Sequence, residues 1–330
     1  MTEKVFKSKR VYFYRVNLGK RTNGDSFQTN VISAYDKFYR RDYSDAPEAT
    51  INGERIYISA MSKVVDFDDE KLENEDFYFS PYAILINIAR VDPSKEVEYG
   101  VLTNQVDERR KTLGEVADID DSGDNIGPLV NTQIIYDPFR RVLARKRSTG
   151  DLSNYLLCKF IKAAFDVKGI SFEIMLNKKG MTDIDKFTSV YEAEYKIAAP
   201  DNFKSYANDD RSEFGDIKFA SDVNSEAYKI VLTGANLTKK NLKTKLKNIL
   251  TEDSFEVKMA QITGLTDGQE STVDLIKNKL VYDGRVEFEN KVTIKDFFNL
   301  LEFAYKEEFN FIKTMYKLEV SQYEKGTDET

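Results

Sequence analysis

The segment Tyr82 to Val91 reads YAILINIARV, a run so continuously apolar that it fits a strand near the middle of a sheet rather than one at an edge. Its surroundings support a mixed α and β region. Arg10 to Asn17 (RVYFYRVN) is rich in β-formers and predicts an opening strand, followed by a turn at Gly19 and Gly24. Ser26 then caps a predicted helix whose Phe27, Val31, Ala34, Tyr35 and Phe38 share one face, and Arg55 to Phe67 reads as a further strand.

Downstream, Asn104 to Gly127 is polar and charged and predicts an exposed loop. TQIIYDPFRRVLARKR (Thr132 to Arg147) has the pattern of a hairpin turning at Asp137-Pro138, with a strongly basic return strand. Asp151 or Ser153 can cap the next helix, whose Leu152, Tyr155, Leu156, Lys159, Phe160 and Ala163 recur at three-four spacing and which ends near Gly169. From Ile170 the rhythm changes to strands with one short helix: SFEIML, SVYEAEYKIAA, a polar link from Pro200 to Asp222, and AYKIVLTG. Asn236 to Leu250 is helical. Two strands, SFEVKMAQITG and STVDLIKNKLVYD, meet at the hairpin signal Asp267-Gly268, and Val292 to Val320 closes the chain as a long helix suited to dimerisation. The expected class is α+β: two mixed α/β units with largely antiparallel sheets and a long C-terminal helix, divided at 1–167, 168–290 and 291–330. A chain of 330 residues ordinarily divides in this way.

Composition removes much chemistry. There is no histidine, so there is no Ser-His-Asp or Cys-His nucleophile, no His-ligated zinc and no imidazole acid or base. The single cysteine, Cys158, falls in an apolar-periodic segment and reads as a structural thiol. No stretch reaches the roughly 18 apolar residues of a bilayer span, and the start lacks a signal-peptide core, so a cytoplasmic location is expected. Neither a P-loop nor a GxGxxG motif is present. The sequence DIDDSGDNIG opens like a calcium loop, but Leu129 stands where a bidentate Glu belongs, so the acidic stretch 115–124 reads as solvated. No metal and no cofactor are expected.

Net charge is -7, yet the basic residues are clustered. Met1 to Gly24 carries Lys4, Lys7, Lys9, Arg10, Arg15, Lys20 and Arg21 against Glu3, while acids gather at Asp66 to Asp76, at Glu115 to Asp124 and at Glu324 to Glu329, which read as solvated loops and a frayed tail. Arg140, Arg141, Arg145, Lys146 and Arg147 charge both faces of the hairpin's return strand. Lys239, Lys243 and Lys247, with Lys240 beside them, stripe one side of the helix. These nine residues are the candidate contacts to a phosphate backbone, without base readout. An alternative is a Mg²⁺-dependent nuclease holding metal between Glu194-Tyr195-Lys196 and Asp183 or Asp185, although Glu256-Val257-Lys258 has the same spacing. A protein-protein module is the third reading.

The order FEIMLNKKGMTDIDKFTSVYEAEYKIAA, YKIVLTGANLTKKNLKTKLKNIL, two strands and an aromatic-rich closing helix, over Ser171 to Lys317, resembles the C-terminal half of the RexA-type phage-exclusion proteins. The resemblance implies a dimeric two-domain sensor that binds double-stranded DNA without sequence preference and signals phage infection to a membrane effector encoded alongside it. Antiviral defence by abortive infection, from a prophage, is the role so implied. No catalytic residue carries over.

Overall fold

The structure, a computed structural model, describes residues 5–18, 24–43, 45–68, 72–74, 77–91, 99–101, 109–111, 129–148, 150–198, 225, 227–251, 256–288 and 292–318. The acidic stretch 115–124, the polar link 200–222 and the acidic tail lie outside these residues, as does most of the loop expected at 104–127.

Sixteen strands and five helices are described in chain order: β1 (Val5–Leu18), α1 (Gly24–Tyr39), β2 (Glu48–Ile51), β3 (Glu54–Val64), β4 (Leu72–Asn74), β5 (Phe77–Phe79), β6 (Ala83–Val91), β7 (Tyr99–Val101), β8 (Arg109–Lys111), β9 (Leu129–Asp137), β10 (Val142–Lys146), α2 (Asn154–Ala164), β11 (Ile170–Ile174), α3 (Lys178–Lys186), β12 (Ser189–Ala198), β13 (Ala227–Thr233), α4 (Lys239–Thr251), β14 (Val257–Thr266), β15 (Gln269–Asp274), β16 (Val281–Phe288) and α5 (Ile294–Tyr316). All the named pairings are antiparallel, so the class is α+β, closed by a long helix.

The first sheet runs β11-β1-β10-β9-β6-β3-β2, and β6 lies inside it between β9 and β3 as its apolar run requires. Alternation divides its side chains. Ile84, Ile86 and Ile88 join the core formed with α1, α2 and α4, while Ala83 and Leu85 join the core beneath α5. One polar ladder interrupts β6: the Asn87 amide donates to Ser59 Oγ at 2.6 Å and Asn131 Oδ1 at 2.8 Å, and accepts from Gln133 Nε2 at 2.7 Å. A bulge between Ile58 and Ala60 brings Ser59 to that ladder.

β1 has the most pairings. Along one edge it takes β10 through Val11–Arg15; along the other it takes β16 through Val5–Tyr12 and then β11 through Tyr14–Leu18. This corrects the expected boundary at 168, because residues 170–174 and 281–288 complete the N-terminal sheet and the chain between them forms the second sheet, β13-β12-β14-β15. STVDLIKNKLVYD is likewise two strands, β15 and β16, parted by turns over 275–278. One apolar cluster runs from Tyr14 and Ile84 through Leu246 and Ile249 to Ala260 and Ile262, so the two sheets share a core.

Local signals set the helix and hairpin ends. Ser153, and not Asp151, caps α2 through Leu156 N–H, and its buried stripe is Asn154, Leu157, Phe160 and Ile161. Cys158 is half-buried against the core. Thr293 and Asp296 form a capping box at the start of α5. Asp267 and Gly268 both take positive φ, as a tight β14–β15 hairpin demands. The apolar face of α5 (Phe298, Leu301, Ala304, Tyr305, Phe309, Ile312) is spent on the chain's own first sheet.

Candidate nucleic-acid interface

The basic hairpin strand is the main correction to the sequence reading. β10 sits between β1 and β9, and Arg140, Arg145 and Lys146 are 3%, 1% and 3% exposed, so none of them presents charge to solvent. Each has found polar partners inside. Arg145 donates to Asn154 Oδ1 at 2.8 Å and to the Leu152 carbonyl, and the Asn154 amide in turn donates to the Thr251 carbonyl at the end of α4. Lys146 pairs with Asp151 at 3.1 Å and lies 4.4 Å over the Phe297 ring of α5; burial lowers its pKa and Asp151 resists that.

Arg140 belongs to a larger network. It pairs with Asp68 and, at 3.5 Å, with Asp137, and it stands 5.1 Å over the Phe309 ring. Asp137 accepts the backbone N–H groups of Phe139 and Arg140 through Oδ1 and the Tyr305 hydroxyl through Oδ2, while Asp68 also takes Lys313 at 2.9 Å. Burial pushes the Asp137 carboxyl up from its ordinary value, and Arg140, Tyr305 and the two backbone donors pull against it. Asp68 was expected among solvated acids, but its side chain is 3% exposed. Together these residues fasten α5 to the hairpin turn. Of the five cations read on this strand, only Arg141 and Arg147 are half-exposed, Arg147 lying 5.2 Å over the Tyr12 ring.

The lysine helix divides along its length. Lys247 is 4% exposed and pairs with Glu173 at 2.6 Å, which removes it from the candidate contacts. Burial lowers the Lys247 pKa. Burial also works to raise Glu173, but Lys247, Asn17 and Arg15 together outweigh it and hold that carboxyl below its ordinary value. The first turns differ. Lys239 Nζ donates to the carbonyls of Asp185 and Phe187 at the end of α3, both at 3.2 Å, and Lys243 reaches Asp185 at 3.6 Å. Lys240 is exposed, and so is Lys186 on the last turn of α3. The junction of α3 and α4 thus carries Lys186, Lys239, Lys240 and Lys243 against Asp183 and Asp185, beside a cleft of about 250 Å³ lined by Phe187–Val190 and Asn236–Lys239.

The Glu194-Tyr195-Lys196 triplet lies on β12, where Tyr195 faces the core and the two charged residues face outward; Glu194 pairs with Lys229 at 2.5 Å. Asp183 and Asp185 are held instead by Lys186 and Lys243. Glu256 pairs with Lys258 at 4.0 Å. Among the described residues no three acidic, cysteine or histidine side chains converge as a metal-ligand group, and no described helix is long and apolar enough to cross a membrane. No protein-family description matches the chain, and no curated protein matches it.

Proposed function

We propose that this chain is a non-enzymatic, DNA-binding sensor of a phage-exclusion system, holding the phosphate backbone of duplex DNA at the junction of α3 and α4. The observation that carries this reading is the locking of the two helix ends together. Lys239 ties α4 to the carbonyls at the end of α3, which brings the first turn of α4, with Lys240 and Lys243, to the last turn of α3, with Lys186, beside Asp183 and Asp185. Exposed ammonium groups on a rigid support exchange condensed counterions for phosphate contacts and need no base readout. The cytoplasmic setting, the homodimer and the membrane effector encoded nearby are parts of the same proposal and rest on the resemblance over Ser171 to Lys317.

Fluorescence anisotropy of an arbitrary-sequence duplex, measured over a series of salt concentrations, tests it. Binding should weaken steeply with salt and be indifferent to sequence, and the triple variant Lys186→Gln, Lys240→Gln, Lys243→Gln should bind less well with a shallower slope. No binding at low salt, or an unchanged slope in a folded triple variant, would remove this surface from consideration and favour a protein-protein module.

A further inference from the structure

β16 lies at an edge of the first sheet. It pairs with β1 through Val281–Phe288, and among the described residues no strand pairs with its other edge. Tyr282, Gly284 and Val286 face α5: a Cβ on Gly284 would strike Leu300, Val286 is buried, and the Tyr282 ring lies 5.8 Å from that of Phe303. Asp283 and Arg285 point the other way and are exposed. A cleft of about 250 Å³ between β16 and α5 is lined by Tyr282, Val286, Leu300 and Phe303 together with Arg285, so it draws on both faces of the strand and opens along the free edge. Phe303 is 55% exposed there. Edge strands that avoid pairing ordinarily carry an inward-pointing charge or a proline, and residues 281–288 have neither.

We propose that this edge joins a second copy of the chain, β16 against β16, as an antiparallel ladder about a two-fold axis at Gly284. An isologous pairing puts the same strand on both sides, so its register is decided by how the strand's charges meet themselves. Centred on Gly284, Asp283 of each copy faces Arg285 of the other, Tyr282 faces Val286, and the ladder runs from Val281 to Glu287. Centred on Asp283 or on Arg285, a charge faces its own like. Centred on Val286, Arg285 faces Glu287, but only Gly284 to Phe288 overlap. Opposite charges across a ladder favour pairing and like charges oppose it, so the longest ladder is also a matched one. Asp283 already holds Arg10 at 2.9 Å, and with its side chain 66% exposed it has room for a second cation; Arg285 has no ion-pair partner among the described residues. Directly opposed residues share a face, so both copies of α5 lie on one side of a continuous sheet and Phe303 is covered at the join. The proposal gives the homodimer of the preceding reading its surface and rests on that part of it alone.

Sedimentation equilibrium of the whole chain, without DNA and over a concentration series, should show a reversible dimer. Asp283→Arg and Arg285→Asp each place like charges opposite one another twice, so each alone should raise the dissociation constant about tenfold or more. Mixed together, the two variants restore both opposite-charge pairs and should form a heterodimer of near-native affinity. Circular dichroism and melting temperature check that each variant is folded. If both single variants dimerise as the native chain does, the dimer forms elsewhere and this surface is overturned while the homodimer stands. A native chain that stays monomeric throughout overturns both. Weakened variants whose mixture stays equally weak overturn the register, and the proposal with it. Lys240→Gln with Lys243→Gln should leave the dimer intact while lowering DNA affinity, so the dimer surface and the DNA contact fail separately.

Discussion

Lys247 Nζ lies 2.6 Å from Glu173 Oε1, and this contact ties α4 to β11. Replacing Lys247 with Met strands a half-buried carboxylate, so the expected loss is about 3 kcal/mol in urea unfolding, partly recovered by adding Glu173→Gln. DNA affinity per folded molecule should not change. The pH sign follows from Glu173, whose pKa is lowered on folding: its contribution is present above its unfolded value and is lost as pH falls through the lowered one. The double variant should therefore lose less stability on acidification than the native chain.

Lys240→Gln with Lys243→Gln should reduce the slope of log affinity against log salt by up to about 1.8, near 0.9 for each phosphate contact removed. Equilibrium binding at four or five salt concentrations reads this directly. Stability should stay nearly unchanged, because Lys240 is exposed and the Lys243–Asp185 pair, at 3.6 Å with Asp185 66% exposed, contributes little.

Arg145→Met separates structural from binding roles on β10. It leaves the Asn154 carbonyl and the Leu152 carbonyl without their donor in a site that is 1% exposed, and the expected destabilisation is about 3 kcal/mol by chemical denaturation. Were Arg145 a DNA contact, the variant would instead remain stable and bind DNA more weakly.

Gly264→Ala should destabilise by about 2 kcal/mol or more, since a Cβ there would overlap the Ser189 carbonyl oxygen, a backbone atom of the paired strand β12. Gly268→Ala meets no neighbour but must hold φ +77°, so a loss of about 1 kcal/mol is expected from conformation alone. Thermal melts of the two variants compare a steric cost with a torsional one.

Lys279 gives the chain a titrating group near pH 8 although it has no histidine. Its pKa is lowered on folding, so its unfavourable contribution is fully present below about 8 and is relieved as pH rises toward the unfolded value of 10.5. The stability of the native chain relative to Lys279→Met should therefore climb between pH 8 and 10, by at most about 3 kcal/mol at ~1.4 kcal/mol for each pK unit. The absence of imidazole predicts pH-insensitive DNA binding from about 6 to 8.

Periodicity and turn chemistry made most elements legible. YAILINIARV indicated an inner strand, Asp267-Gly268 a hairpin, and the three-four spacing of Phe297 to Met315 the closing helix, because each signal is local. The burial of Arg145 and Lys146 was not legible, since nothing in ARKR distinguishes a charge facing water from one facing Asn154 or Asp151. Arg140 was harder still, as its partner Asp68 lies 72 residues away in a segment that reads as solvated acid. Charge pattern marks surfaces only where no partner elsewhere in the chain has claimed the charge. The division at 168 failed for a similar reason: β11 and β16 look like parts of the meander around them, and only their pairing with β1 places them in the first sheet.

The triple pairing of β1 has a kinetic meaning. Arg10 and Asp283, partners across β1 and β16, are 273 residues apart, and Tyr14 and Ile174 across β1 and β11 are 160 apart. A nascent chain emerging from the ribosome therefore carries β1 with one half of an edge unpaired until residues 281–288 have been made. High contact order of this kind slows folding and prolongs exposure of an open strand edge, so Val5 to Tyr12 is the segment from which misassembly and chaperone capture should begin.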